Sequence, residues 1–238
     1  MISSLILTAQ QHELDLRVFL SGPYKQSLGT MDTSLYAEGA IPLDQPYNTP
    51  PWNYNGIESV PAMPVTDVVD WVLIELRQTS GSPETALPDS MIHRQAGFLL
   101  KDGTVVGTDG VSNLSFDMPV TGNLFIIIRH RNHLDVMSAG PAPLNGVTYA
   151  WDFTTGQNQA YGAGNAQKLI DTGLFGMYSG DAHPDGQIDL AFKALYYWYE
   201  GGNSGYLRCD VNLSGQPNSV DINGNWRIHA GHAVQFPD

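Results

Sequence analysis

The sequence predicts a mainly β protein, a β-sandwich followed by a small C-terminal module of loops and helices. Three observations favour this fold class. The 238 residues are 42% apolar, enough for a sizeable core, whereas only 15% are charged. The 25 glycines and 15 prolines favour short strands joined by many turns. Several short apolar segments are separated by turn signals along most of the chain.

Five segments have the apolar pattern of strands. Residues 14–20 alternate between apolar and charged side chains, which is typical of a half-buried strand. Residues 68–76 and 124–129 are densely apolar and predict buried central strands. Residues 97–106 predict a hairpin with an Asp-Gly turn, and residues 147–153 alternate again. Many short strands of this kind predict a β-sandwich.

The character of the chain changes after residue 153, because residues 154–164 are glycine-rich and resemble a linker. We therefore predict a β-sandwich domain over residues 1–155 and a C-terminal module over residues 156–238. In the module, residues 165–170 predict the start of a short helix. Apolar residues at helical spacing over 188–199 predict a second helix, and any helix beyond residue 221 is expected to be short or absent.

Two runs in the C-terminal module have the spacing of calcium-binding loops. They span residues 181–189 and 210–221, and both place oxygen-bearing side chains at loop positions 1, 5 and 9 and glycine at position 6. Carboxylate, amide and main-chain carbonyl oxygens are the ligands that calcium prefers, and the glycine permits the sharp turn. The alternative is a pair of Asp-Gly turns without metal.

The candidate ligands of the first loop are Asp181, His183, Asp185, the carbonyl of Gln187 and Asp189. Those of the second loop are Asp210, Asn212, Ser214, the carbonyl of Gln216, Asn218 and Asp221. The first loop departs from the pattern, because imidazole is a poor ligand for a hard cation and Phe192 at position 12 cannot bind one. Phe192 is expected to pack into a core. The second loop has only two carboxylates and predicts a modest affinity.

The composition limits which classes of partner are expected and indicates where the protein is located. A net charge of −13 disfavours nucleic acid and anionic membranes as partners. No segment is apolar for long enough to span a membrane. The single cysteine, Cys209, cannot form a disulfide within the chain, so bound calcium is expected to take that stabilising role in an extracellular or cell-surface protein. The first residues do not form a signal peptide, which favours a piece of a longer protein.

The duplicated loop and helix resemble the dockerin-type calcium-binding repeat. Segments 14–24, 42–48, 68–77 and 129–134, together with the residues just before each loop, resemble the C-terminal region of hemagglutinin-like secreted surface proteins of the Bacteroidetes. This resemblance implies export, a β-rich body and a dockerin-like, calcium-binding module at residues 156–238. It does not define an activity.

We therefore predict a non-catalytic, secreted or cell-surface structural or adhesive protein that is stabilised by calcium. The alternative is a carbohydrate-binding module that stacks a surface glycan on Tyr47, Trp52 and Tyr54. A hydrolase ranks last, because common nucleophile, nucleotide and zinc motifs are absent from the sequence. His130 and His133 are interpreted as a polar strand exit whose side chains need not converge. Glu75 is interpreted as a solvent-facing residue, and the alternative is that it is one of a pair of carboxylates for glycoside hydrolysis.

The N-terminal residues raise the question of assembly. Leu5, Ile6 and Leu7 precede the first clear strand, and an extended apolar end can add to the open edge of a neighbouring sandwich. We expect residues 1–10 to dock into another copy and give a homo-oligomer or fibre, with a surface glycan or protein as a further partner. The alternative is an ordinary first strand of the chain's own sheet.

Overall fold

The computed structural model describes residues 11–238. It is mainly β, with 32% strand and 16% helix, and its large curled sheet gives a β-sandwich-like fold with small helices near the C-terminus. The predicted fold class is therefore confirmed. Thirteen strands are formed: β1 His12–Arg17, β2 Tyr24–Lys25, β3 Thr30–Met31, β4 Val68–Thr79, β5 Met91–Leu100, β6 Thr104–Val106, β7 Leu114–Phe116, β8 Asn123–His130, β9 His133–Met137, β10 Leu144–Asn145, β11 Thr148–Asp152, β12 Lys168–Asp171 and β13 Leu174–Gly176.

Nine of these strands form one sheet in the order β10-β11-β1-β6-β5-β4-β8-β9, with β7 also paired to β1. All the pairings are antiparallel except that of β1 with β11, where Leu14 lies opposite Tyr149. The predicted alternation of β1 is observed, because Leu14 and Leu16 are buried whereas Glu13 and Asp15 are exposed. The remaining strands form two small hairpins, β2–β3 and β12–β13.

The centre of the sheet is β4, flanked by β5 and β8. Its first ten residues are all buried, which explains the dense apolar pattern of the sequence. The main hydrophobic cluster covers both faces of β4, because Trp71 and Leu73 alternate along the strand with Val72 and Ile74, which are also buried. The face that carries Trp71, called here the outer face, also carries a smaller cluster in which Phe125 and Ile127 of β8 contact Phe236 near the C-terminus. The C-terminal residues therefore cover part of the outer face.

The helices are short. They are α1 Ser34–Ala37, a π-helical turn Phe192–Tyr197 continued by α2 Trp198–Glu200, and a π-helical turn Asp221–Trp226 continued by α3 Arg227–His229. Single 3₁₀ turns occur at Pro83–Thr85, Pro88–Ser90, Gln157–Gln159 and Ala163–Asn165. The helix predicted within 188–199 is present, and the one after residue 221 is short. Within residues 11–238, none of the helices has the length and apolarity that crossing a membrane would need.

The helix predicted at residues 165–170 is wrong. The chain forms only one 3₁₀ turn at Ala163–Asn165 and then enters β12, which pairs with β13. The turn between the two strands explains the outcome, because Gly173 adopts a φ of +71° and Asp171 Oδ1 accepts a hydrogen bond from the amide of Thr172 at 2.7 Å. These two features close a tight hairpin that a helix could not accommodate.

The glycine-rich segment after residue 153 packs onto the sheet. Thr154 and Ala160 are buried, and the indole of Trp151 donates a hydrogen bond to the carbonyl of Gln159 at 3.1 Å. The main hydrophobic cluster also includes Met177 and Leu213 from the C-terminal part. The two predicted domains, 1–155 and 156–238, thus share a core, and the boundary between them stays a prediction.

Candidate calcium site

The second loop brings its first three predicted ligands together. Asp210 Oδ1 and Asn212 Oδ1 both accept a hydrogen bond from the amide of Ser214 at 3.0 Å. The other carboxylate oxygen of Asp210 accepts the amide of Gly215 at 2.8 Å, the sixth residue of the loop. Because one donor serves both Asp210 and Asn212, their oxygens converge at the start of the loop.

Asp221 closes the second loop from its far end. Its Oδ1 accepts the amides of Val211 at 2.9 Å and Asn212 at 3.1 Å, and its Oδ2 accepts the amide of Asn218 at 2.8 Å. The carbonyl of Gln216 accepts hydrogen bonds from Ser214 Oγ at 3.2 Å and Asn218 Nδ2 at 3.1 Å. All six predicted ligands of this loop therefore belong to one closed network of oxygen-bearing groups.

The carboxylates of the second loop are held away from water. Asp210 and Asp221 are both 0% exposed. Burial raises the pKa of Asp221 to about 6, although the hydrogen bonds from the loop amides lower it. The nearby charge of Asp210 adds to the increase. Burial also raises the pKa of Asp210, although the charge of Arg131 opposes it. A bound cation would favour the ionised form of both groups.

The first loop repeats one element of this geometry. Asp181 Oδ2 accepts the amide of Gly186 at 3.0 Å, as Asp210 accepts that of Gly215 in the second loop. Asp181 is 3% exposed, and its Oδ1 is buried without a hydrogen-bond partner. Burial, followed by the charges of Asp135 and Asp185, raises the pKa of Asp181 to about 8. An unpartnered buried oxygen of this kind fits a cation.

The other predicted ligands of the first loop are engaged separately. His183 Nδ1 lies 3.1 Å from the hydroxyl of Tyr196. Asp185 Oδ1 accepts the amide of Gln187 at 3.1 Å, and Asp189 Oδ1 accepts the amide of Ala191 at 2.7 Å. Within residues 11–238, no three His, Cys, Asp or Glu side chains form a metal-binding group. The three aspartates of the first loop are thus not gathered around one point.

Phe192, at position 12 of the first loop, packs between the two loops. Its ring stacks on Trp226 with the centroids 5.4 Å apart, and the indole of Trp226 donates to the carbonyl of Asp189 at 2.6 Å. Phe192 and Trp226 belong to one hydrophobic cluster with Val211 and the buried Cys209. Phe192, which stands where a calcium-binding loop would have a ligand, therefore forms part of the hydrophobic cluster that joins the two loops.

The turn between β8 and β9 forms a socket for the second loop. Asn132 is 0% exposed, and its Nδ2 donates to the carbonyls of Arg208 at 3.1 Å and Asp210 at 2.9 Å. The guanidinium of Arg131 donates to the carbonyl of Leu207. Gly22 approaches from the other side so closely that a Cβ there would lie 1.8 Å from the carbonyl oxygen of Val211. The socket fixes the backbone that presents Asp210.

Asp70 on β4 holds this socket to the sheet. Its carboxylate lies 3.2 Å from His130 Nε2 and 2.9 Å from Arg131 Nε, and it accepts the hydroxyl of Tyr206 at 2.7 Å. Burial alone would raise the pKa of Asp70, but the charge of Arg131 and the hydrogen bond from His130 bring it down to about 2. Asp70 is therefore an ionised partner for the buried guanidinium.

The expectation that His130 and His133 need not converge is wrong. Their Nδ1 atoms lie 3.1 Å apart, because the short turn folds both rings inward. The contact of His130 Nε2 with Asp70 assigns the proton of His130 to Nε2, and the contact of His133 Nδ1 with Asn132 Oδ1 at 2.8 Å assigns that of His133 to Nδ1. Burial lowers the pKa of both rings. The pair bonds to neighbouring loops, as a polar strand exit does.

Two aromatic residues proposed for glycan stacking are buried. Tyr47 is 0% exposed and donates its hydroxyl to the carbonyl of Trp71 at 2.8 Å. Trp52 is 6% exposed and packs edge-on against Tyr47, with their ring centroids 5.0 Å apart. Tyr54 is half-buried and donates to Glu58 at 2.5 Å. Tyr47 and Trp52 cover the core and do not offer a platform for stacking.

Glu75 is buried in ion pairs, so the expectation of a solvent-facing residue is wrong. It is 4% exposed on the outer face of β4, and its oxygens accept hydrogen bonds from Arg77 Nε at 2.7 Å and Arg129 Nε at 3.1 Å. The side chain of Asp238 bridges the same two arginines at 3.0 and 2.9 Å. The outer face of the sheet thus carries a network of paired charges.

The second loop was recognisable from its sequence, but the turn that forms its socket was not. The available signal for this turn was the dense run of polar residues at 129–135, which follows a buried strand. Its contact with the second loop was not predictable, because Asn132 and its acceptor Asp210 are 78 residues apart. Residues 1–10, proposed to dock into another copy, lie outside the described residues. No family model matches the chain, and no curated protein or solved structure is significantly similar to it.

Proposed function

We propose that the chain is a non-catalytic structural or adhesive part of a secreted or cell-surface protein, stabilised by calcium in its C-terminal loops. The observation that carries this proposal is the closed network of the second loop, in which Asp210 and Asn212 share the amide of Ser214 and Asp221 accepts the amide of Asn212. Carboxylate, amide, hydroxyl and carbonyl oxygens suit a hard cation such as calcium, and no sulfur or imidazole takes part.

Bound calcium would stabilise the folded chain. Two buried carboxylates cost free energy when ionised, and a cation bound between Asp210 and Asp221 would offset that cost. The carbonyl of Asp210 is held by Asn132, so a bound ion would also secure the second loop against the turn between β8 and β9. The first loop would hold a second ion more weakly, through Asp181.

A structural role is favoured by the use of the buried charged groups. Glu75 and Asp70 are both engaged in ion pairs with arginines, at 2.7 and 2.9 Å. Carboxylates paired in this way position parts of the fold and are poor candidates for a general acid or base. An extracellular setting is supported by the net charge of −13 and by a single cysteine, which leaves stabilisation to bound ions.

Thermal melting in calcium and in chelator tests the proposal. At calcium a hundred times above its dissociation constant, binding adds about 2.7 kcal/mol, which for a chain of this size raises the melting temperature by roughly 5–10 °C. Asp210→Ala should remove most of this rise, and Asp181→Ala should remove less.

Asp109→Ala is the matched control, because Asp109 also begins an Asp-Gly turn and accepts the amides of Val111 and Ser112 at 3.0 and 2.9 Å. It lies outside both loops, so the calcium response should be unchanged. Equal melting of the unmodified protein in calcium and in chelator would contradict the proposal.

A further inference from the structure

Two cavities lie between the proline-rich loop at residues 50–52 and the tip of the first loop at residues 183–185, and a third adjoins them beside Trp52 and Arg208. Their volumes are about 300, 330 and 160 Å³. The first two share Pro51 and Asp185, and the last two share Arg208. They therefore form one continuous depression, called here the arginine groove, which is lined by Pro51, Trp52, Arg94, Pro184, Tyr196 and Arg208.

Two arginines of the groove have no acidic partner. The chain has 24 acidic and 11 basic side chains, yet no carboxylate among the described residues lies within ion-pair distance of Arg94 or Arg208. Arg94 donates to the carbonyl of Trp52 at 2.8 Å. The guanidinium of Arg208 lies 5.5 Å from the ring centroid of Trp52 and 5.7 Å from that of Tyr196. Both cations are thus held in place beside Trp52.

The acidic groups near the groove do not neutralise these cations. In the first cavity, which Arg94 also lines, the carboxylates of Glu75, Asp135 and Asp238 are all paired with Arg129, at 3.1, 2.8 and 2.9 Å. Asp185 lies on the opposite wall, where it is exposed and accepts the amide of Gln187. Arg129 and Arg131, which also line the groove, are paired with carboxylates. Among the described residues of the groove, Arg94 in the first cavity and Arg208 in the other two are therefore the cations left for an anionic ligand.

We propose that the arginine groove binds an acidic saccharide, with Arg94 and Arg208 contacting its carboxylates. Guanidinium groups bind carboxylates through directed, charge-assisted hydrogen bonds. Pro51 and Pro184 have no backbone N–H, so neither can donate a main-chain hydrogen bond to a bound peptide. They offer flat apolar surfaces instead, as does the ring of Tyr196, and such surfaces suit the faces of sugar rings.

This site gives the adhesive part of the proposed function a ligand class and rests on that proposal. It can be tested apart from calcium stabilisation, because Arg94 and Arg208 are not among the predicted calcium ligands. If the saccharide does not bind but calcium still raises the melting temperature, only the proposal for the arginine groove is contradicted, and the proposal of calcium stabilisation stands.

The test is isothermal titration of the full chain, in calcium, with a hexamer of galacturonic acid. Maltohexaose is the neutral control and hexaglutamate the peptide control. We expect the galacturonate hexamer to bind at least about ten-fold more tightly than either control, since ten-fold is close to the contribution of one charge-assisted hydrogen bond. Equal binding of the neutral hexamer, or no binding of the galacturonate, would overturn the proposal. Tighter binding of hexaglutamate would show that the groove takes acidic peptides instead.

Variants locate the binding site. Arg94→Gln and Arg208→Gln should each weaken galacturonate binding by about ten-fold, whereas Arg208→Lys should keep part of it. Arg227→Gln is the matched control, because Arg227 is exposed on α3 outside the groove. Melting in calcium confirms that each variant is folded. Galacturonate binding that is unaffected by either groove variant would contradict this assignment.

Discussion

Replacing Asn132 by alanine should loosen the second loop from the sheet. The buried amide donates to the carbonyls of Arg208 at 3.1 Å and Asp210 at 2.9 Å, and its oxygen contacts His133 Nδ1 at 2.8 Å. Each lost buried hydrogen bond costs about 1 kcal/mol, and a carbonyl left without a donor costs more. We therefore expect a loss of about 3–5 kcal/mol in the free energy of unfolding, or roughly 10 °C in melting temperature.

Asn123→Ala is the matched control for this change. Asn123 lies at the other end of β8, and its Nδ2 donates one hydrogen bond, to the carbonyl of Gly81 at 2.9 Å. Urea denaturation should give a loss of about 1 kcal/mol for this variant. Calcium binding should be weakened several-fold by Asn132→Ala and left unchanged by Asn123→Ala. If Asn132→Ala lowers the free energy of unfolding by no more than Asn123→Ala does, the claim that Asn132 fixes the second loop is refuted.

Three further predictions concern the same region. Gly22→Ala should lower stability by about 3 kcal/mol in urea denaturation, because the added Cβ would lie 1.8 Å from the carbonyl oxygen of Val211; unchanged stability would exclude this close approach. Asp70→Asn should cost about 3–5 kcal/mol by the same measurement, since it leaves the buried guanidinium of Arg131 without an anion, and a neutral effect would remove the ion pair from the account. Burial lowers the folded-state pKa of His133 well below 6.5, so its stabilising contribution is present above pH 6.5 and is lost as the pH falls, by about 1.4 kcal/mol per pH unit. His133→Gln should therefore reduce the slope of the free energy of unfolding against pH by this amount. Identical slopes for the variant and the unmodified protein would contradict the assignment.

The central strands could be predicted from the sequence because their pattern follows directly from burial. β4 is mostly apolar since both of its faces are covered, and the alternation in β1 reflects one buried and one exposed face. The hairpin between β5 and β6 was predictable from Asp102-Gly103, where Gly103 adopts a φ of +92°. In each case the determining contacts are local or follow from the pattern of a single strand.

The hairpin of β12 and β13 could not be predicted in the same way. Leu169 and Ile170 have no distinct period, and the strand is fixed by pairing across a tight turn at Gly173. Residues 154–164 have the composition of a linker, but Ala160 is buried because the segment follows the edge of β9, where the amide of Tyr161 donates to the carbonyl of Met137 at 2.8 Å. Tertiary contacts decided both segments.

The candidate site was partly predictable for a similar reason. The ligands of the second loop lie within twelve consecutive residues, so their spacing alone indicated that they converge. The groups that hold this loop are distant in sequence. Asp70, for example, accepts the hydroxyl of Tyr206, which is 136 residues further along the chain. No spacing rule relates such residues, and only the fold brings them together.

Isothermal titration of calcium into the chelator-treated chain tests the central claim most directly. At least one calcium ion should bind per chain, with a dissociation constant on the order of 10⁻⁵ to 10⁻³ M, as expected for a loop with two carboxylates. Asp221→Asn should abolish this binding, because Asp221 closes the loop onto Asn212, whereas Asp102→Asn, in an ordinary Asp-Gly turn, should leave it unchanged. Absence of calcium binding, or binding that survives Asp221→Asn, would contradict the account.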